Sequence, residues 1–270
     1  MGCARNQGER LVNLMDRLRY GYGEAGKRLK RRAKAARRAD RFSDETIWEQ
    51  RDGFARRSYA SYEAYVEHQR AKLTHHLPQL NETLADDLAE FKRRFVDCTP
   101  LREARSVLCL GARLGTEVRA LKELGFFAVG IDLNPGEANQ HVVTGDFHAL
   151  TFADGSTDAV YCNALDHAFD LDRLSREVAR VLRPGGLFVT DIALGFDRGY
   201  TPGDYEATIW RDPDTLIQRI CAAAPFRAVA SRDLGPMRVQ PWHQVVFRKA
   251  EDGGPAEAAP ADQATGAGGR

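Results

Sequence analysis

Asp132, Asp146, Asn163 and His167 each stand just past an apolar segment of β character, and Gly111 and Gly115 bracket the turn after another. These residue types in these places suggest a chemistry. A carboxylate at a strand tip, as at Asp132, can accept both hydroxyls of a ribose. A glycine turn that feeds a helix admits a ligand close to the backbone, and its N–H groups bind a carboxylate as readily as a phosphate. Asp146 can meet an exocyclic amino group, with Phe147 beside the ring. His167, next to Asp166 and Asn163, is the best general base, with an ordinary histidine pKa near 6.5. Capping the next helix is an equal use for it. His148 is a weaker candidate on the Asp146 side.

The elements that must position these groups follow from periodicity. Strands are expected at Ser106–Leu110, Phe127–Ile131, His141–Thr144, Ala159–Cys162, Leu187–Ile192, Ala228–Ser231 and Gln244–Arg248. Helices are expected from Thr116, where Val118, Leu121 and Leu124 share a face, from Leu171 to Leu182, and from Pro213 to Cys221 after an Asp212 cap. Pro184-Gly185-Gly186 should turn the chain back. Strands alternating with helices predict an α/β domain over residues 103–249, with a mostly parallel seven-stranded sheet covered on both faces. All the polar residues above then fall on one sheet edge, where open α/β sheets bind ligands.

Neither phosphate fingerprint is complete. Arg113 interrupts the glycine pattern of a dinucleotide turn, no glycine follows at the helix start, and no Gly-Lys-Ser/Thr is present. A cofactor without a pyrophosphate fits better than nicotinamide. In order and spacing, the motifs resemble those of class I S-adenosylmethionine-dependent methyltransferases of the type 11 kind. Gly111 to Gly115 is similar to the family's first motif, Asp132 to its ribose acid, and Gly145-Asp146-Phe147 to its adenine-side motif. Leu150 to Tyr161 resembles an "LPF-DGSFD-V" segment, and Arg180 to Leu187 a "VLKPGG" turn. The resemblance covers residues 104–192 well and 193–249 loosely. It implies a Rossmann-like fold and S-adenosyl-L-methionine held by Gly111, Ala112, Arg113, Gly115, Asp132, Leu133, Asp146, Phe147 and Asn163. It implies methyl transfer to an O, N or C nucleophile, with His167 and Asp166 as catalytic candidates.

The chain departs from the family at Cys109, where an acid is usual, and at Arg113, where a glycine is usual. Glu117, Asp166 or backbone carbonyls are the available substitutes for the acid. The segment from Asn134 to Asp146 has room for one turn only. Residues 195–212 should form a loop over the acceptor, lined by Tyr200, Tyr205 and Trp210. No Asn/Asp-Pro-Pro-Tyr/Phe or Pro-Cys motif is present, which disfavours the base N- and C5-methylating branches.

Residues 1–102 read as a helical N-terminal region. Leu11 to Leu18 and Leu77 to Phe95 have helical spacing, the latter starting at Pro78, and Tyr59, Tyr62 and Tyr65 share a face best explained by packing. Residues 27–41 hold nine Lys or Arg and one acid. A solvated helix face, an anionic membrane surface or other anionic partner, and RNA are the readings open to that run. Residues 250–270 read as a disordered tail. With 43% apolar and 29% charged residues in 270, a substantial core is expected. The chain shows no signal peptide, no transmembrane run, unpaired cysteines and no convincing metal site, since His75 and His76 are adjacent and lack a cysteine cluster. These features suggest a cytoplasmic enzyme acting on a small molecule, or on a cell-envelope or lipid-type metabolite. The alternatives are a non-catalytic binding module of the same fold, or an RNA or protein methyltransferase using the basic N-terminal region.

Overall fold

The computed structural model describes residues 32–237 and 240–251, together with Gly26, Leu29 and Lys30. The expectations for Leu11 to Leu18 and for the tail after Glu251 fall outside the described residues. The strands are β1 (Trp48–Arg51), β2 (Phe54–Arg57), β3 (Ser106–Leu110), β4 (Phe127–Asp132), β5 (Val142–Thr144), β6 (Thr157–Cys162), β7 (Leu182–Ala193), β8 (Thr208–Trp210), β9 (Phe226–Met237) and β10 (Gln240–Lys249). The main helices are α1 (Tyr62–Asp97), α2 (Thr116–Glu123), α3 (Leu171–Val181) and α4 (Pro213–Ala223).

Seven strands form one sheet in the order β5-β4-β3-β6-β7-β10-β9. The first five are mutually parallel, and β10 runs antiparallel to both β7 and β9. The chain builds outward from β3 through β4 to β5, then crosses to β6 on the other side. That reversal opens a crevice at the carboxyl ends of β3 and β6. Strand β3 has the unbroken apolar run of a strand covered on both faces. Its alternation divides the core. Leu108 and Leu110 join Leu174, Val178 and Phe188 in one cluster, while Val107 and Cys109 join Val118, Leu121 and Phe95 in the other. Cys109 and Cys162 are buried and behave as small apolar residues, their thiols pushed up by burial.

The helix caps follow expectation at Asp212, which accepts from the Thr215 N–H at 2.8 Å. Asp170 caps α3 in the same way. Strand β7 starts earlier than expected, at Leu182. The Pro184-Gly185-Gly186 turn is taken up as an irregularity, with a register shift opposite Thr157 and Ala159.

Besides its helices, the N-terminal region contains a hairpin. Asp52 and Gly53 both have positive φ (53° and 79°), as a two-residue turn between twisted strands requires. β2 then pairs with β8, so β1-β2-β8 is a second, three-stranded antiparallel sheet. This corrects the expectation for residues 195–212. Trp210 does not line a loop. It is buried in the core, with its indole N–H donated to the Ala193 carbonyl at 2.8 Å.

Helix α1 also differs from expectation. It does not start at Pro78 but runs unbroken for 36 residues from a Ser61 cap. Pro78 removes one backbone donor, a local loss that packing at both ends outweighs. At its C-terminal half, Phe91 and Phe95 enter the core beside Tyr161. Among the described residues, no helix is long and apolar enough to cross a membrane.

Candidate active site

The turn after β3 is shaped by left-handed backbone. Gly111, Arg113 and Gly115 have φ of 66°, 43° and 78°. For Arg113 this costs about 1 kcal/mol relative to glycine, which explains why glycine is usual there. An offsetting contact is visible. The Arg113 N–H donates to Asp132 Oδ2 at 2.9 Å, and the Asn134 N–H donates to Oδ1 at 2.8 Å. Each carboxylate oxygen keeps a lone pair for a ligand hydroxyl. A Cβ added at Gly111 would lie 2.9 Å from the Ala164 Cβ and 3.7 Å from the Phe147 ring. Only glycine lets the turn come this close to the opposing wall.

Gly111, Arg113, Asp132, Leu133, Phe147 and His167 meet in one cleft, with about 480 Å³ of empty space out to its mouth. Ala112, Gly115, Asp146 and Asn163 do not line it. Ala112 is buried behind the turn, and Gly115 packs against His141 and Val142.

Asp146 sits at the same edge but is already engaged. Its Oδ2 accepts from the Tyr62 hydroxyl at 2.5 Å and its Oδ1 from the His148 N–H at 2.8 Å. Burial works against its charge, yet the bonds from His148 and Tyr62 hold its carboxyl at about 2. Both ring nitrogens of His148 are committed, Nδ1 to Tyr62 and Asp146, and Nε2 to the Asp170 N–H. That removes His148 from the list of bases.

His167 lines the far side of the cleft. Its Nδ1 is 2.8 Å from the Tyr205 carbonyl, and its Nε2 is 2.5 Å from Lys72 Nζ and 3.7 Å from Asp166 Oδ1. Asp166 is buried, accepts from the Tyr200 hydroxyl at 3.2 Å, and has its carboxyl pushed up by burial. Tyr200 and Tyr205 therefore act on the cleft from behind, through Asp166 and His167. Glu117 is buried in the first turn of α2 and pushed up to about 8 by burial; it does not line the cleft.

Helix α1 forms the roof. Tyr65, Gln69, Lys72 and Leu73 line the cleft, and Tyr62 reaches Asp146. The Tyr65 hydroxyl donates to the His167 carbonyl at 3.1 Å, Gln69 to the Tyr205 carbonyl at 2.7 Å, and Asn134 back to the Arg70 carbonyl at 2.8 Å. Among the described residues, no cluster of three metal-ligating side chains occurs.

The family profile described as "Methyltransferase domain" matches residues 108–190, which contain the end of β3, the glycine turn, Asp132, Asp146 and His167. The α/β domain belongs to the class I S-adenosylmethionine-dependent methyltransferase family. A malonyl-[acyl-carrier protein] O-methyltransferase of Coxiella burnetii is 31% identical over 45% of this chain and 44% of its own length. A 24-methylenesterol C-methyltransferase of rice is 31% identical over 37% of this chain and 32% of its own. The chain thus spans less than half the length of these relatives. In fold, the methyltransferase domain is similar to the 1,6-didemethyltoxoflavin-N1-methyltransferase of Burkholderia thailandensis. The TM-score is 0.58 at 18% identity, over 73% of this chain and 95% of the other.

The methyltransferase motifs led to the floor of the cleft but not to its roof. Tyr62, Tyr65, Gln69, Lys72 and Leu73 recur at spacings of three, four, three and one, which is one face of a helix. That signal was available. It was obscured because the tyrosines read as packing and Pro78 read as the helix start.

Proposed function

We propose that this protein transfers a methyl group from S-adenosylmethionine to a small-molecule acceptor. One observation carries the reading. The glycine turn, Asp132 and Phe147 form one wall of a cleft whose other wall holds His167 and Lys72. In this reading Asp132 accepts the ribose hydroxyls, the turn at Gly111 and Arg113 faces the methionine end, and Leu133 and Phe147 flank the adenine. The close approach at Gly111 and the spare lone pairs on Asp132 fit such a guest. The bound cofactor supplies an electrophilic methyl group. The chain's own residues orient the acceptor, exclude water and handle its proton, and alignment alone supplies much of the rate.

The roof favours a small acceptor. Helix α1 covers the cleft along Tyr65 to Leu73, which favours an acceptor group that can reach in beneath it. Leu73 and Ala164, which the cofactor's adenine does not use in this reading, add apolar surface that suits a metabolite with an apolar body. That agrees with relatives named for acyl-carrier and sterol substrates. The basic run gives little support to an RNA partner. Arg41 pairs with Asp204, so part of its charge is neutralised within the chain.

Calorimetry with S-adenosylhomocysteine tests the donor half, and a screen with methyl-labelled donor against metabolite fractions tests the acceptor half. Asp132→Ala should weaken binding of the homocysteine product about 30-fold or more, as expected when a charge-assisted pair of hydrogen bonds worth roughly 2–3 kcal/mol is lost. An unchanged affinity would remove the ribose role.

A further inference from the structure

We propose that Lys72, rather than His167, takes the acceptor's proton, and that His167 is the residue that positions it. The proposal rests on the methyltransferase reading above and identifies which group at that site does the work.

The argument starts from the two nitrogens of one ring. His167 Nδ1 lies 2.8 Å from the Tyr205 carbonyl oxygen, which can only accept. Nδ1 therefore carries the ring proton, and Nε2 holds the one lone pair. Lys72 Nζ sits 2.5 Å from Nε2. The basic site of His167 is occupied, and a second ring proton would point N–H against N–H. Burial, followed by the Lys72 charge, holds the imidazole at about 3, well below the usual histidine range.

Lys72 has the opposite circumstances. It lines the cleft together with Gly111, Asp132 and Phe147. A neutral amine that donates one N–H to Nε2 keeps its own lone pair, which can turn to the cleft that Lys72 lines. The groups around it come from every neighbouring element. Arg113 is on the turn after β3, Asp132 at the tip of β4, Asp166 and His167 after β6, and Glu206 just before β8. Burial and then Arg113 lower the amine, against the pull of Asp166, Glu206 and Asp132, and leave it at about 7. A base so placed matches neutral pH.

The step balances simply. The acceptor's X–H proton passes to the Lys72 lone pair as X bonds the methyl carbon. The carbon–sulfur electron pair stays on sulfur, which leaves as a neutral thioether. The ammonium then returns its proton to water. Such a base is useful for an acceptor that arrives protonated, a weakly acidic hydroxyl or an ammonium, and is idle for one already ionised, such as a carboxylate.

The test is an NMR titration of the full-length, isotopically labelled protein from pH 5 to 10, with and without S-adenosylhomocysteine. Lys72→Met and His167→Gln variants assign the signals. The Lys72 ε-methylene should titrate near neutrality, and His167 should stay neutral and Nδ1-protonated throughout. His167→Leu should move the Lys72 midpoint by more than about half a pH unit, and His167→Gln, whose Oε1 can accept, should restore it. A His167 that titrates between pH 5 and 7 beside a permanently charged Lys72 overturns the proposal. So does a Lys72 midpoint indifferent to both substitutions. If the wild-type protein does not bind S-adenosylhomocysteine, the methyltransferase reading falls and this proposal falls with it; binding with a titrating His167 sinks only the proposal.

Discussion

Helix α1 brings one buried cation to each end of its contact with the sheet, and the two are treated in opposite ways. Arg94 donates to Asp191 Oδ2 at 2.9 Å and to Glu90 at 2.8 Å. Asp191 also accepts from the Tyr161 hydroxyl at 2.7 Å and the Gln244 amide at 2.8 Å. Both Arg94 and Asp191 are 1% exposed, and each of these contacts pairs a donor with an acceptor. Lys72, six turns of helix earlier, meets an imidazole lone pair and has its amine lowered by burial and then by the charge of Arg113. Its carboxylate neighbours Asp166, Asp132 and Glu206 exert their pull without a hydrogen bond to it in the described network. A saturated charge pair is a fixed strut. A charge held without its own carboxylate stays ready to change protonation, which suits chemistry.

The contrast makes its largest prediction at the strut. Asp191→Ala leaves a buried guanidinium short of its counter-charge and should destabilise the fold by about 3–5 kcal/mol in urea unfolding. Replacing Arg94 and Asp191 together by apolar residues of similar volume should recover most of the loss. If the single change cost under about 1 kcal/mol, the strut would be no different from a surface ion pair.

Lys72→Met should behave in the reverse manner, abolishing methyl transfer while leaving the fold intact. Its signature is in the pH dependence. The folded-state amine titrates at about 7, against an ordinary lysine value of 10.5, so the unfolded chain binds more protons between these values. Wild-type stability should therefore rise with pH from about 7 towards 10, with the full penalty present below 7. The variant should lack that slope. Equal slopes in the two proteins would show that Lys72 is an ordinary solvated lysine.

How much of this was legible in the sequence follows from the same division. The floor of the cleft was readable because backbone geometry demands particular residues there. Gly111 cannot bear a Cβ, Asp132 must accept from the turn, and β3 must be apolar on both faces. The roof's helical face was legible in the spacing of Tyr62, Tyr65, Gln69 and Lys72, but its place over the cleft was not, because Lys72 and Tyr62 matter through partners roughly ninety residues away that no local pattern ties to them. The hairpin at Asp52-Gly53 carried a local turn signal and could have been found. Its partner β8 is only three residues long and is separated from β2 by α1 and β3 to β7, so it could not.

Tyr62 gives a smaller effect that sharpens the comparison at the roof. Its hydroxyl occupies Oδ2 of Asp146, the acid that the family resemblance places on the adenine side. Tyr62→Phe should free that acceptor and tighten S-adenosylhomocysteine binding several-fold by calorimetry, on the scale of about 1 kcal/mol for one hydrogen bond. Weaker binding would mean that Tyr62 holds Asp146 in place for the ligand rather than competing with it.

The smallest change in stability is expected at Arg113, where two backbone effects oppose each other. Arg113→Gly relieves a residue held at φ 43° but gives the unfolded chain more freedom, each worth about 1 kcal/mol or less. The net change in urea unfolding should lie within about 0.5 kcal/mol of zero. The side chain has a separate consequence, because its charge is the second cause, after burial, that lowers the Lys72 amine. Its removal should raise the Lys72 midpoint while the fold stays equally stable. A variant that loses stability but leaves Lys72 untouched would place Arg113 with Arg94 among the struts, and the amine would then owe its state to burial alone.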